Sequence, residues 1–553
     1  MDISPFFKSW AFISLLFVVL VPFCFYFYFA PSTLKDSRRR HLPPGPPGWP
    51  FIGNLLDLAD SNEFRKIVCR WANQYGDIVY TKIGGADYIW FNSPRVVKDL
   101  MDKRSNIYSS RPPLPLAQDV ASNKKRQLFM EYGPQWRSIR KLSHGALNAP
   151  TAATYEPVQD FESKQLMRDL LDSPEDFYRH NRRYTVSVIS LVTYGYRLPT
   201  WDHPLVKKVY SVLDTFTEMT APGAFIVDTF PSLQYLPQRF FGNWRDFGKR
   251  VHEHDSKVYL ELWRDLKEKA DKGVAPPCYC RDFYVKNPVK WGIDEEQSAY
   301  AAGGLIEAGS ETTAITLNNF LLAMTLNPRV VQKAQEELDR VVGCERLPTW
   351  SDEKNLPYLR AMIKETLRWR PLNQFGMSHA TSEDDWYKGY FIPKGSIVTI
   401  SWWLVAIHYD QERYPEPDTF KPERYLNHSQ PAAEYINVSD PYERDHFAYG
   451  AGRRVCPGVH VAERSLFINA ARTLWGFDIR KKTDESGNLI EPETKMVPGF
   501  MSVPKPFECS ITPRSEGHAR IIRDAFNEAE RVGIQYRKQE QKQDDLLTEE
   551  SMQ

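Results

Sequence analysis

Charge disappears from one stretch near the N-terminus, and apolar residues then recur at helical spacing through most of the chain. Residues 11–30, Ala-Phe-Ile-Ser-Leu-Leu-Phe-Val-Val-Leu-Val-Pro-Phe-Cys-Phe-Tyr-Phe-Tyr-Phe-Ala, carry no charge at all. As a helix they span about 30 Å, the thickness of a bilayer's hydrocarbon core. Lys35, Arg38, Arg39 and Arg40 follow, against Lys8 alone before. That bias places residues 1–10 in the lumen and the body in the cytosol. A cleaved secretory signal fits less well, because the apolar stretch is long and Pro31 sits badly after the candidate cleavage residue Ala30. Residues 31–50 hold the basic stop and then His41-Leu42-Pro43-Pro44-Gly45-Pro46-Pro47-Gly48-Trp49-Pro50. Such a run makes no helix or ladder hydrogen bonds and forms a stiff linker.

From there the pattern predicts one domain over residues 51–513, mainly α with minor β. Helices are expected at 62–75, 294–326, 329–342, 355–369 and 459–475. The longest of these ends at Asn327-Pro328. Alternation from Ile78 to Phe91 predicts a hairpin turning near Gly84-Gly85, and short strands are expected at 386–401 around Gly389 and Pro393-Lys394-Gly395. Residues 514–553 form a charged tail. Within it 517–535 has amphipathic spacing, and the Gln-, Asp- and Glu-rich end reads as disordered.

Composition narrows the picture. A chain of 553 residues that is 42% hydrophobic builds a large core, and a net charge of +1 excludes nucleic acid as an evident partner. Seven scattered cysteines make no disulfide framework, which favours a reducing compartment. Cys278 and Cys280 have no second pair or histidine cluster to complete a zinc site.

The candidate chemistry centres on Tyr449-Gly450-Ala451-Gly452-Arg453-Arg454-Val455-Cys456-Pro457-Gly458. Its glycines permit tight turns and close approach to a flat cofactor, and two arginines beside Cys456 favour a thiolate. A lone thiolate suits a haem iron ligated on one face, where it favours O–O cleavage. Pro457 lacks an N–H, so donors to the sulfur come from Gly458 and Val459. The alternative is a free cysteine in a loop.

Three further groups stand out. Ala308-Gly309-Ser310-Glu311-Thr312-Thr313 puts an acid and alcohols inside an apolar helix, where they are costly unless used or paired. Gly309 there suggests a kink where a ligand approaches. Glu365 and Arg368 share a helix face at i, i+3, and so do Trp136 and Arg140 at i, i+4.

Together these segments resemble the cytochrome P450 superfamily over residues 43–513, in the family's order. Tyr449 stands where the family's haem loop usually has phenylalanine, which adds a hydroxyl needing a partner. The Pro-Pro-Gly-Pro-Pro-Gly-Trp-Pro start, the Ile392-Pro393-Lys394-Gly395-Ser396 turn and the tail after Pro513 resemble fungal microsomal enzymes of secondary metabolism, of the O-methylsterigmatocystin oxidoreductase kind.

The resemblance implies haem b with Cys456 as axial ligand of the iron. Trp136, Arg140, His379 and Arg454 are expected at the haem, the first three near its propionates. Glu311 and Thr312 become the proton-delivery pair. Glu365, Arg368 and Arg424 (in Pro422-Glu423-Arg424-Tyr425) become a structural triad behind the haem. Electrons come from NADPH through a separate NADPH-cytochrome P450 reductase docking near Arg137, Lys141 and Arg453, with cytochrome b5 as a second donor. The expected location is the endoplasmic reticulum membrane, single-pass.

Substrate contacts are expected from Ile107–Val120, Phe216–Phe230, Ala301–Ala308, Leu372–Phe375 and Pro498–Met501. These suit a fairly large apolar or aromatic molecule, hydroxylated, epoxidised or oxidatively coupled, as in an alkaloid, polyketide or terpenoid pathway. The rivals are a haem-thiolate isomerase or dehydratase needing no reductase, a non-catalytic haem sensor, and a membrane-tethered structural protein. The Glu311–Thr312 pair weighs against the first. The long apolar helix and the anchor weigh against the second, and the cysteine loop against the third.

Overall fold

The computed structural model describes residues 36–50, 52–58, 64–221, 223–240, 242–373, 375–401, 408–497 and 499–534. The expected anchor at 11–30 and the expected disordered end lie outside them. Among the described residues no helix is long and apolar enough to cross a membrane.

Eleven longer helices carry the fold: α1 (Phe64–Tyr75), α2 (Pro134–Leu147), α3 (Glu156–Asp172), α4 (Phe177–Tyr194), α5 (Pro204–Thr220), α6 (Trp244–Asp271), α7 (Glu295–Leu326), α8 (Pro328–Val341), α9 (Pro357–Trp369), α10 (Val459–Gly476) and α11 (Glu516–Val532). Sheet is minor. The hairpin β1 (Ile78–Ile83) and β2 (Ala86–Phe91) turns at Gly84-Gly85, both at positive φ. Its second strand pairs in parallel with Ile397–Ile400, which pairs in turn with His379–Ala380.

Helix α7 organises the interior. The Asp294 side chain caps its N-terminus by accepting from Gln297 N–H. Ala299–Ile306 then pack in a core with α2, α4, α5 and α6. Leu317–Met324 pack in a second core with α3, α4, α8, α9 and α10. The sequence between, including Gly309, runs as unbroken helix. Gly309 lets α4 come close, since a Cβ there would lie 2.5 Å from Ile189 Cγ1. The close approach is made by a helix and not by a ligand.

The amphipathic segment of the tail is part of this body. Arg514 reaches Asp339 with two hydrogen bonds of 2.8 and 2.7 Å, and the His518 ring lies 4.5 Å from that of Trp475. Ile522, 1% exposed, fits over Gly476 beside Met167. Replacing Ile522 by alanine should cost about 2–5 kcal/mol. Urea unfolding of the full chain reads this as a lower midpoint at unchanged slope, and an unchanged midpoint would show α11 to be detached in solution.

Candidate active site

Cys456 is held by a loop that reverses twice. Gly450 and Gly452 have φ of 83° and 66°, and a Cβ on Gly452 would lie 2.3 Å from Met101 O. Glycine is the residue that fits there. Gly452 N–H donates to Asp102 Oδ1 at 2.8 Å, and Cys456 N–H donates to Tyr449 O at 2.8 Å. Helix α10 begins three residues later. Cys456 is half-buried. Burial pushes its pKa up, while the Gly458 N–H and the Arg140 charge oppose that rise. The Tyr449 hydroxyl is buried with no hydrogen-bond partner.

Four basic groups gather beside this loop. Arg140 donates to Val455 O, and Arg454 donates to Ser109 O and Met130 O. Arg111 donates to Leu128 O, Met377 O and Ser378 O at 2.8–2.9 Å. His379 Nδ1 lies 2.7 Å from Tyr108 O, which assigns the proton to that nitrogen. Both Arg454 and Arg140 lie over the Trp136 ring, at 4.7 and 5.9 Å. Among the described residues, the charge that acts on each of the three arginines is another arginine or Cys456 and not an acid. Burial lowers the pKa of all four groups, that of Arg454 to about 9.

Uncompensated buried cations are unfavourable without an anion. The two propionates of haem are anions of the chemistry these cations call for, and the Cys456 thiol is of the kind that would ligate its iron. The residues present therefore fit haem. His379 adds a condition. A neutral ring giving Nδ1–H to Tyr108 leaves Nε2 as an acceptor only. Burial first, and then the Arg111 and Arg454 charges, hold its pKa well below the usual histidine value, so donation from Nε2 to a carboxylate would need the ring to gain a proton.

On α7, Gly304, Ala308 and Thr312 keep accessible surface while Leu305, Ile306, Ser310 and Glu311 are buried. Spaced at i, i+4 and i+8, the three form one open stripe. Thr312 Oγ1 donates to Ala308 O at 2.8 Å, within the helix. Glu311 turns to α4, where the Arg182 Nε lies 3.0 Å from its Oε1. Burial raises the Glu311 pKa against the pull of Arg182. Arg182 is 37% exposed and links this acid to solvent.

The triad residues meet. Arg368 grips Glu365 with two hydrogen bonds of 2.6 and 2.8 Å, both side chains fully buried. Arg424 Nε lies 3.4 Å from Glu365 Oε1, and this is the looser leg. Arg368 also donates to His408 O, and Phe447 N–H donates to His408 Nε2 at 2.8 Å. Phe447 O then accepts from Gly450 N–H. The buried pair is thus linked, bond by bond, to the cysteine loop.

Among the substrate segments, Leu116, Ala117, Phe216, Val227 and Phe500 share one apolar cluster, against which Met377 also packs. Phe216 stacks on Phe129 at 5.9 Å and meets Phe500 edge-on at 5.1 Å. Phe375 lies elsewhere, packed on Phe64 and Trp90. Arg137 and Arg453 both lie over the Tyr132 ring, and Lys141 lies over Trp291. Arg111, Arg182 and His408 escaped the sequence reading. Each acts through partners far along the chain, and only Arg111, stiffened by Pro112-Pro113, carried any local signal.

Residues 43–511 match the family described as Cytochrome P450. Cytochrome P450 monooxygenase verL of Clonostachys rogersoniana is 47% identical over 503 residues, 90% of this chain and 92% of the relative. Cytochrome P450 monooxygenase virE of Hypocrea virens is 40% identical over 496 residues, 89% of each chain. Cytochrome P450 monooxygenase yanC of Aspergillus niger is 36% identical over 502 residues, 89% of this chain and 93% of the relative. With its cysteine loop and cation cluster fitting haem, the chain belongs to the cytochrome P450 family, haem-thiolate monooxygenases supplied with electrons by a redox partner.

Proposed function

We propose that this enzyme inserts one oxygen atom from O2 into a fairly large apolar or aromatic substrate of fungal secondary metabolism, by hydroxylation, epoxidation or oxidative coupling. The observation that carries this is the open stripe Gly304–Ala308–Thr312 in a body whose substrate segments supply an aromatic, apolar cluster. Thiolate-ligated haem supplies the activation of dioxygen when bound. Cys456 Sγ is its ligand, with the Gly458 N–H holding charge on the sulfur. Arg111, Arg140 and Arg454 hold the propionates, aided by His379, and Trp136 is the ring on which two of these arginines rest.

Glu311 and Thr312 manage the protons. A carboxyl whose pKa burial raises against the pull of Arg182 is suited to hold one at Oε1 or Oε2, and Arg182 connects it to solvent. Delivery requires the carboxyl to exchange Arg182 for a partner on the stripe. Thr312, its own proton committed to Ala308 O, accepts a hydrogen bond from water there. NADPH-cytochrome P450 reductase, with cytochrome b5 as a second donor, docks where Arg137, Lys141 and Arg453 gather beside the cysteine loop.

The protein sits on the endoplasmic reticulum through the apolar segment at 11–30. Exposed Trp49, Leu56, Ile226, Tyr235 and Leu236 lie on segments joined at the β1–β2 turn, through Asn54 to Lys82 and Thr229 to Gly84. We assign this face to the membrane surface.

The test uses the haem-loaded full chain with reductase and NADPH on a surrogate such as 7-ethoxycoumarin. Thr312→Ala and Glu311→Gln should retain haem content yet lower coupled product about 100-fold, the lost electrons appearing as hydrogen peroxide. Equal coupling in both variants removes the proton-delivery role. Retention of the parent in microsomes after a carbonate wash checks the anchor, and release to the supernatant removes it.

A further inference from the structure

Two short segments of the apolar cluster are tied to each other at one point. Pro115–Val120 forms a single π-helical turn, and Ile226–Thr229 a single α-helical turn. The Asp228 carboxylate bridges them. Its Oδ1 accepts from Leu116 N–H at 2.8 Å and its Oδ2 from Ala117 N–H at 3.3 Å. Among the described residues these are the hydrogen bonds that join the two segments. Leu116, Ala117 and Val227, beside the tie, are buried in the same cluster as Phe216 and Phe500.

The surroundings of the tie are asymmetric. From outside, α6 presses on the first turn, since a Cβ on Gly248 would lie 2.8 Å from Val120 Cγ1 and 3.0 Å from Leu116 Cδ1. After that turn, Asn123 and Lys124 adopt φ of 45° and 60°, a conformation costly for residues with a Cβ. Before the second turn, Gly223 has φ of 76°, and among the described residues nothing lies within 4 Å of where a Cβ would stand. Each segment therefore adjoins a strained or open hinge, and the carboxylate opposes its movement. Two oxygens accepting two backbone N–H groups is a charge-assisted contact that an amide, with one acceptor oxygen, reproduces only in part.

We propose that Asp228 is a latch, a positioning residue whose two hydrogen bonds hold these segments together over the substrate chamber. Its release opens the passage used by large apolar molecules. The inference rests on the proposed function, in which this apolar cluster and the open stripe of α7 bound the substrate chamber.

The test is stopped-flow binding of two azoles to the haem-loaded full chain, read by the Soret shift of nitrogen ligation. Imidazole is small enough to enter without opening, whereas clotrimazole is bulky. In Asp228→Ala, clotrimazole association and dissociation should both accelerate at least about fivefold, the loss expected for two net hydrogen bonds. Imidazole rates should change less than about twofold in the same variant, with the reduced, carbon-monoxide-treated Soret band still at the thiolate position. Asp228→Asn, which keeps one acceptor, should fall between, and it decides by the same rates if the alanine variant fails to hold haem. Unchanged clotrimazole rates overturn the latch, and so do equal gains for both azoles, which mark general loosening. A parent whose Soret band moves with neither azole overturns the chamber reading instead.

Discussion

Cys456→Ser should give a folded protein without the thiolate Soret band and with turnover at background. The loop's shape does not depend on the sulfur. Its two glycine turns, the Asp102 contact to Gly452 N–H and the Cys456 N–H bond to Tyr449 O all use backbone or other side chains. Serine is smaller and makes the same N–H contact, so the fold survives. What is lost is the soft, electron-donating ligand on which the chemistry rests. Outer-shell partners of a metal ligand are already worth about 10–100-fold, so removing the ligand itself should exceed that. The measurement is the reduced, carbon-monoxide difference spectrum at matched haem content, followed by turnover with reductase. A thiolate band surviving in the serine variant would assign the ligand elsewhere.

Arg368→Ala should act on the same loop from a distance and through stability. Removing one partner of a buried ion pair leaves the other charge unpaired, at about 3–5 kcal/mol. Domains have only about 5–15 kcal/mol in hand, so little haem-loaded protein should accumulate. Arg368→Lys keeps the charge but not the planar fork that grips both Glu365 oxygens, and should recover only part.

The informative variant is the double Glu365→Leu/Arg368→Met. Packed apolar pairs often replace buried ion pairs without loss. Here Arg368 also donates to His408 O, and His408 Nε2 accepts from Phe447 N–H at the base of the loop. The double variant should therefore regain thermal stability yet convert faster to the inactive, thiolate-deficient Soret form. Conversion at the parent's rate would confine the pair to packing and sever its link to Cys456.

Features written in consecutive residues were legible. The ligand loop, the Glu365–Arg368 spacing, the β1–β2 hairpin and the long helix each depend on partners within a few positions. Gly309 shows the opposite case. A glycine in an apolar helix marks a close approach, but only the packed structure tells whether a ligand or another helix approaches, and Ile189 of α4 is 120 residues away in the chain. Arg182 and His408 were silent, and Arg111 nearly so, for the same reason. Each is an ordinary residue whose meaning comes from a carbonyl, carboxylate or N–H group supplied by a remote segment. The Asp228 tie, across 111 and 112 positions to Ala117 and Leu116, could not be read from pattern at all.

Helix α11 bears on how this protein is handled at the bench. The family match stops at residue 511, and a reporter or affinity tag placed there on homology grounds would displace the helix that begins at Glu516. Gly476 and Trp475, which that helix covers, belong to α10, the helix that begins just after Cys456. A fusion joined after Ile534 leaves that cover in place. The useful cloning boundary at this end is set by what shields α10, some twenty residues beyond the end of the family match.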